Sequence, residues 1–198
     1  MGFACIFTID HPVGAYFAEH KADGVWGDFL QAAEHFGTPY GQLMALFGIL
    51  AATRWQDRRP LRIFLGATAA GLVANVLKLF FARTRPRAFD FDAQHILEGF
   101  GSLFPMGHGG SGVQSIPSAH TACAFGFAAM LTWAYPNGRS MFILFGFLVG
   151  LQRICVAAHF PSDVFLGATL GWFIASTLTM TYRGWNWFTE FENRSTQK

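Results

Sequence analysis

Long apolar stretches, separated by short polar or proline-containing segments, make up most of the chain after its first 36 residues. Each is close to the roughly 17–25 residues that an α-helix needs to cross the hydrocarbon core of a bilayer. The predicted spans are 37–53, 61–82, 119–135, 141–158 and 164–182. The pattern predicts an all-α fold, an integral membrane helical bundle with about five transmembrane helices.

The first 36 residues have a different pattern, in which apolar positions recur at helical spacing opposite Glu19, Asp23 and Asp28. This pattern predicts an amphipathic helix, either at the membrane interface or on the surface of the bundle. Gly24 and Gly27 weaken the continuity of that helix. We expect a single domain, 1–198, that consists of an amphipathic segment at 1–36, a transmembrane core at 37–183 and a cytoplasmic tail at 184–198.

The composition agrees with a membrane protein, because 52% of the residues are hydrophobic and only 13% are charged. A net charge of +2, without a continuous basic run, gives little support to nucleic-acid binding. The N-terminus lacks the basic and apolar regions of a cleavable signal peptide, so we expect internal helices to direct membrane insertion. The expected partner is therefore the lipid bilayer; the sequence does not indicate an oligomeric state.

Basic residues are unequally divided between the two sides on which successive loops fall. The loops 54–60 and 136–140 and the tail, with the adjoining helix ends, carry eight: Arg54, Arg58, Arg59, Arg62, Arg139, Arg183, Arg194 and Lys198. Apart from the candidate site residues below, the other side carries Lys21, Arg83 and Arg87. The positive-inside rule places the first set in the cytoplasm. The loop 83–118 and the turn 159–163 are then expected to face the periplasm or the cell exterior, from the inner (plasma) membrane.

Ionisable residues are rare in membrane helices, because placing one in hydrocarbon costs at least about 2.5–3.5 kcal/mol. Lys78 lies near the outer end of the second predicted span, and Arg85 follows about two helical turns later. Ser118 immediately precedes the third span and is a predicted N-cap, with His120 in the first turn. The free amides of such a helix start favour an anion. Alone, each pair is also compatible with a structural role, as a snorkelling lysine or an ordinary cap.

A third group surrounds the turn between the last two spans, where Arg153, His159 and Asp163 lie on either side of Pro161. The Asp163 carboxylate can bond one imidazole nitrogen of His159, fix its tautomer and leave the other nitrogen as a nucleophile. All three groups fall on the outer side. This shared position predicts one site in which three cations, a serine hydroxyl and a helix N-terminus bind a phosphate beside two histidines.

These residues resemble the three-part signature of the type 2 phosphatidic acid phosphatase (PAP2) superfamily, in its membrane lipid phosphatase branch. That signature is Lys, six residues and Arg-Pro; then Pro-Ser-Gly-His; then Ser-Arg, five residues, His, three residues and Asp. The corresponding residues here are Lys78 with Arg85 and Pro86, then Pro117, Ser118, Ala119 and His120, then Gln152, Arg153, His159 and Asp163. Ala119 replaces the usual glycine and Gln152 the usual serine, and neither change removes a catalytic group.

The resemblance implies that His159 attacks phosphorus, Asp163 orients and charges that histidine, and His120 protonates the leaving group. The phosphate-binding residues that it implies are Lys78, Arg85, Ser118 and Arg153. It implies a phosphohistidine intermediate and no metal or cofactor. It also implies a lipid phosphatase, with phosphatidic acid, phosphatidylglycerophosphate, undecaprenyl pyrophosphate and lipid A as candidate substrates.

Two other functional classes remain open from the sequence. A zinc-dependent membrane hydrolase would use His120, His159 and Asp163 as ligands. A non-catalytic membrane scaffold or transporter would retain the fold without the reaction. The stretch 89–108 of the outer loop is expected to shape the access to the site, and the glycine-rich run 107–112 is expected to act as a hinge or lid.

Overall fold

The computed structural model describes residues 2–106, 108–179, 189–190 and 192. Its helices are α1 (Gly2–Thr8), α2 (Asp10–Glu19), α3 (Gly24–Glu34), α4 (Pro39–Ala52), α5 (Arg59–Leu77), α6 (Ala119–Ala134), α7 (Arg139–Cys155) and α8 (Pro161–Thr179). Two strands, β1 (Phe81–Arg83) and β2 (Phe100–Leu103), form an antiparallel pair. Nearly all of the predicted tail 184–198 lies outside the described residues, as do Arg183, Arg194 and Lys198.

Each predicted span coincides with one helix, α4 to α8, so the helical bundle is confirmed. Within the described residues, α5 and the stretch Pro136–Cys155, which includes α7, are long and apolar enough to cross a membrane. Helix α4 is apolar but has 14 residues. The length and hydropathy of the described helices therefore support two membrane spans, and five transmembrane helices stay a prediction.

The second predicted span is wrong at its end. Helix α5 ends at Leu77, and the chain then turns into β1, where Phe81 lies opposite Leu103. A short apolar run such as 79–82 fits a strand as well as a helix, which is why the pattern gave the longer helix. Lys78 and Arg85 are thus separated by a turn and a strand rather than by two turns of helix.

The N-terminal segment consists of three helices instead of one amphipathic helix. The break lies between Glu19 and Gly24, where Gly24 has a φ of +57°, a conformation that glycine adopts without steric cost. The segment also packs onto the bundle more closely than an interfacial helix would, because Asp10 and Leu30 are buried. A backbone hydrogen bond from Ala22 to the Cys155 carbonyl (3.4 Å) joins it to the end of α7.

Helix α6 forms the centre of the bundle, with every residue from Thr121 to Leu131 buried. Helix α8 approaches it through Gly167 and Gly171, where a Cβ at Gly171 would lie only 2.1 Å from the Ala122 carbonyl oxygen. Small residues four positions apart allow helix backbones to pack this closely in membrane proteins. The contact sets the starts of α6 and α8 side by side.

Successive helices run in opposite directions, so the ends of α5 and α7 meet the starts of α6 and α8 at one end of the bundle. At the opposite end, Arg59 donates to the Ala134 carbonyl (2.7 Å), and the Tyr135 hydroxyl donates to Asp57 (2.6 Å). These bonds join the start of α5 to the end of α6. The candidate site residues all belong to the other end.

Candidate active site

The turn between α7 and α8 fixes the position of His159. The Arg153 carbonyl accepts hydrogen bonds from the backbone amides of both Ala158 (3.1 Å) and His159 (3.2 Å). Ala157 has a φ of +52°, and its carbonyl accepts from the Arg87 amide (3.1 Å). The turn is therefore tied to the segment that follows Arg85, and the His159 side chain is only 2% exposed.

The His159 ring is oriented by a backbone carbonyl. Its Nδ1 lies 2.7 Å from the Ser115 carbonyl oxygen, which only accepts hydrogen bonds, so Nδ1 is the protonated nitrogen. In the neutral ring Nε2 then carries the free lone pair. Burial lowers the pKa of His159 to about 4, which keeps the ring neutral at physiological pH.

The expected hydrogen bond between Asp163 and His159 is replaced by this carbonyl contact, because Asp163 Oδ2 lies 3.9 Å from Nδ1, too far for a hydrogen bond. The carboxylate is held by other donors. Oδ2 accepts from the Ser115 hydroxyl (2.6 Å) and the Phe160 amide (2.9 Å), and Oδ1 accepts from Arg83. Asp163 thus acts on His159 as a nearby negative charge, while Ser115 links the two residues.

Arg83 and Asp10 complete a buried ionic cluster that the sequence analysis missed. Arg83 is fully buried and bonds Asp10 (2.7 Å), the Ser162 hydroxyl (2.7 Å) and Asp163. Asp10 also accepts from the Ser162 backbone amide (2.9 Å). Two carboxylates around one guanidinium leave a net negative charge beside His159, which favours the imidazolium form of that ring.

Three predicted cations lie around the site, and two of them have few protein partners. Lys78 is buried, and no hydrogen bond or ion pair to another described residue holds its side chain. Arg85 makes one long contact, from Nη2 to the Gln114 carbonyl (3.5 Å), and its buried Nε has no hydrogen-bond partner among the described residues. Burial, followed by the charges of Arg87 and Arg153, lowers the pKa of Arg85. Incompletely paired buried cations favour a bound anion.

The third cation, Arg153, has a partner from the N-terminal segment. Its Nη2 lies 2.6 Å from Glu34 Oε2, and its Nε donates to the Gln152 side-chain oxygen. The Gln152 amide donates to the same Glu34 oxygen (3.1 Å). Glu34 Oε1 in turn lies 3.4 Å from His120 Nε2. Glu34 lies in the N-terminal segment that was predicted to be amphipathic, where an acidic residue gives no signal of a site.

Ser118 is the N-cap of α6, as predicted, because its Oγ accepts from the Thr121 amide (3.4 Å). The same hydroxyl lies 2.9 Å from Thr121 Oγ1, and Ser118 is fully buried. Its backbone amide donates to the Asp163 carbonyl (3.0 Å). The hydroxyl is therefore engaged within the first turn of α6, and the cap joins the second group of predicted residues to the third.

His120 lies close to residues of all three groups that the sequence predicted for the site. The charges of Arg153, Lys78 and Arg85 and the ring of His159 all act electrostatically on it. The structure thus gathers the three separated groups of the sequence at one end of the bundle. It adds Asp10, Glu34, Arg83 and Ser115, for which the sequence offered only one signal, the position of Arg83 two residues before Arg85.

Two solved structures share this fold. Aquifex aeolicus LpxE matches with a TM-score of 0.60 over 87% of this chain and 95% of that protein, at 21% identity. A phosphatidylglycerolphosphate phosphatase of the PAP2 type from Bacillus subtilis matches with a TM-score of 0.58 over 89% of this chain and 88% of that protein, at 20% identity. At these identities the likeness concerns the fold alone.

Curated relatives match over the part of the chain that holds the signature. Lipid A 1-phosphatases from Rhizobium johnstonii and Rhizobium etli are 35% and 34% identical over 113 residues, 56% of this chain. Those residues are 43% and 45% of the two relatives, so the chain matches less than half of their length. The family model of the PAP2 superfamily matches residues 59–187, from the start of α5 past the described end of α8, and this chain belongs to that superfamily.

Proposed function

We propose that this chain is a membrane-bound lipid phosphatase that works through a phosphohistidine on His159. The observation that carries the proposal is the anchored ring: Nδ1 is held by the Ser115 carbonyl, so Nε2 remains free as a nucleophile. Lys78 and Arg85 act electrostatically on this ring, and Arg153 acts on the neighbouring His120; the charges of these three cations suit the oxygens of a phosphate. Ser118 supports the start of α6, where first-turn amides add donors for the same anion.

In the proposed reaction the Nε2 lone pair attacks phosphorus, an N–P bond forms and the bond from phosphorus to the leaving oxygen breaks. His120 donates a proton to that oxygen as it leaves. The positive charge that develops on His159 is compensated by the cluster of Asp10, Arg83 and Asp163. Water then attacks phosphorus, gives its proton to His120 and releases inorganic phosphate, and Nε2 regains its lone pair.

The zinc hypothesis requires His120, His159 and Asp163 to converge on one metal. In the described part of the chain, no group of three histidine, cysteine or acidic residues has that arrangement. Both Asp163 oxygens already accept hydrogen bonds, and the Nδ1 of His159 donates to Ser115. This donor geometry favours direct attack by histidine.

A cleft beside His120 supports a lipid substrate. It is lined by Gly37, by Pro39 at the start of α4, by Thr68, Gly71, Leu72 and Asn75 of α5, and by Ala119, His120 and Cys123 of α6. Its largely apolar walls suit an acyl chain or the apolar part of a headgroup. We propose that the lipid lies along this cleft with its phosphate beyond the His120 end, toward the cations that act on His120.

We further propose that α4 to α8 span the membrane and that the site faces the periplasm or the cell exterior. The exposed apolar side chains of Val25, Trp26 and Phe29 on α3 suit a position at the membrane interface. Burial of Arg83 in the ionic cluster removes it from the loop charges. By the same criterion the buried Arg62 is removed from the other side, so Lys21 and Arg87 stand against seven basic residues, which strengthens the charge argument.

Among the candidate substrates, we propose the 1-phosphate of lipid A as the first to test, because the curated relatives bear that activity in their names. The test is phosphate release by purified protein from lipid A, phosphatidylglycerophosphate, phosphatidic acid and undecaprenyl pyrophosphate, in mixed micelles. Substrate labelled with ³²P should also leave label on the protein that survives alkali and is lost in acid. Label on serine or aspartate would refute the mechanism, and release from none of the four lipids would refute the function.

A further inference from the structure

Glu34 is an acidic residue in a site otherwise built to bind an anion. It belongs to α3, outside the part of the chain that matches the superfamily, and its carboxylate reaches residues of α6 and α7. An acidic side chain beside a phosphate weakens phosphate binding by repulsion. Its presence therefore calls for a function that offsets this cost.

The contacts of Glu34 divide between its two oxygens. Oε2 is held by Arg153 (2.6 Å) and by the Gln152 amide (3.1 Å). Oε1 makes neither of these two contacts and lies 3.4 Å from Nε2 of His120. Gln152 stands where the superfamily usually has serine, and its longer side chain bonds Arg153 and Glu34 together. The departure from the signature thus serves to fix the carboxylate.

The backbone after Glu34 is fixed as tightly. The chain turns at 35–37, and a Cβ at Gly37 would lie 2.7 Å from the His120 carbonyl oxygen and 2.9 Å from Val149. The close approach at Gly37 holds the end of α3 against α6, within the turn that carries His120. The distance between the Glu34 carboxylate and the imidazole is therefore set by packing of the main chain and by the two bonds to Oε2.

Charge decides what this carboxylate does. His120 must carry a proton to act as an acid, yet burial of the ring, followed by the charges of Arg153, Lys78 and Arg85, disfavours the imidazolium. The neighbouring His159 ring is neutral and offers no compensation. Glu34 is the carboxylate that contacts His120 in the described residues, and a negative charge at this distance favours the protonated ring.

We propose that Glu34 is a positioning residue that holds His120 protonated and oriented for proton donation to the leaving group. The proposal rests on the phosphatase function proposed above. In this arrangement Nε2–H points to Glu34 and the Nδ1 side of the ring is left to face the leaving oxygen. After the P–O bond breaks, the proton of His120 has moved to that oxygen and the neutral ring accepts one from water in the second step.

The test compares two phosphate esters that differ in their need for an acid. A long-chain alkyl phosphate leaves as a strongly basic alkoxide and requires proton donation, whereas p-nitrophenolate leaves without it. In Glu34→Gln we expect kcat/KM to fall at least tenfold for dodecyl phosphate and less than twofold for p-nitrophenyl phosphate. Asp28→Asn is the matched control, since Asp28 is exposed on the same helix and loses the same charge.

A second variant separates this effect from damage to the Arg153 contact. In a His120→Asn background the Glu34→Gln change should have no further effect on the ratio of the two rates, because the residue through which Glu34 acts is absent. Equal losses on both esters, or a further change of the ratio in the His120→Asn background, would overturn the proposal. If the unaltered protein releases no phosphate from any lipid phosphate, the proposed function itself fails.

Discussion

Asp10 offers the sharpest test of the buried cluster. Replacing it with alanine removes three hydrogen bonds, those from Arg83, from the Ser162 amide and from the Ser162 hydroxyl. Arg83 then keeps Asp163 as its ionic partner. Removal of one member of a buried ion pair typically costs about 3–5 kcal/mol. For a chain of this length that corresponds to a decrease in Tm of about 6–20 °C.

The measurement is thermal unfolding of purified protein in detergent, followed by intrinsic fluorescence. Asp10→Asn should be nearly as unstable as Asp10→Ala, because both oxygens of Asp10 accept hydrogen bonds, so the amide NH2 would face a donor, either Arg83 or the Ser162 N–H, in each orientation. Glu19→Gln, on the exposed end of the same helix, should leave the Tm unchanged. A decrease of less than 2 °C for both Asp10 variants would mean that the cluster does not hold α2 to the bundle.

The same variants test the electrostatic function of the cluster. Without Asp10, the charges of Arg83 and Asp163 cancel, so the imidazolium of His159 loses its net negative neighbour. We expect the rate of phosphoenzyme formation, measured by rapid quench at a temperature where the variant is folded, to fall at least tenfold. A tenfold loss corresponds to about 1.4 kcal/mol. An unchanged rate in a folded Asp10→Asn protein would refute this compensation.

Four other outcomes are expected. Activity should persist in EDTA, since histidine attack needs no metal; a loss restored by zinc would favour the metal-dependent alternative. His159→Ala should form no phosphoenzyme, whereas His120→Ala should still form it from p-nitrophenyl phosphate; labelling of the His159→Ala protein would identify another nucleophile. Because burial lowers the pKa of His159 to about 4, the neutral ring persists as the pH falls below 6.5, and the labelling rate from p-nitrophenyl phosphate, which needs no proton from His120, should at pH 5 stay within twofold of that at pH 7; a decline centred near 6.5 would contradict the burial argument. Gly171→Ala should unfold at a lower temperature, as its Cβ would meet the Ala122 carbonyl oxygen at 2.1 Å, while Gly48→Ala, with open space around it, should not; equal effects would argue against the close α6–α8 contact.

The parts of the fold that follow local rules could be predicted from the sequence. Apolar runs of sufficient length gave the positions of α4 to α8, and Ser118 before an apolar run gave the N-cap of α6. The spacing of the signature residues placed Lys78 and Arg153 at the same end of the bundle as that cap. The helices and the N-cap depend on residues close together in the chain, and such local patterns are compatible with few structures.

The partners of the proposed catalytic residues could not be predicted in this way. Ser115 orients His159 through its backbone carbonyl. Because every residue has a backbone carbonyl, the sequence does not indicate which one bonds the imidazole. Asp10 and Glu34 belong to the N-terminal segment, whose sequence pattern predicts an amphipathic helix. Acidic residues are common on the polar side of such a helix, so they gave no signal of a site. Only the folded packing of α2 and α3 against α6, α7 and α8 brings those two carboxylates to the site.

Those two carboxylates also reduce the net positive charge of the site when no substrate is bound. In the described residues, the part that matches the superfamily supplies four buried or half-buried cations at this end of the bundle, Lys78, Arg83, Arg85 and Arg153, and Asp163 as the buried carboxylate. Asp10 and Glu34 reduce the excess from three positive charges to one. An uncompensated buried charge is strongly destabilising. A chain that lacks α1 to α3 would therefore retain every signature residue and still lose the charge balance on which folding of the empty site depends.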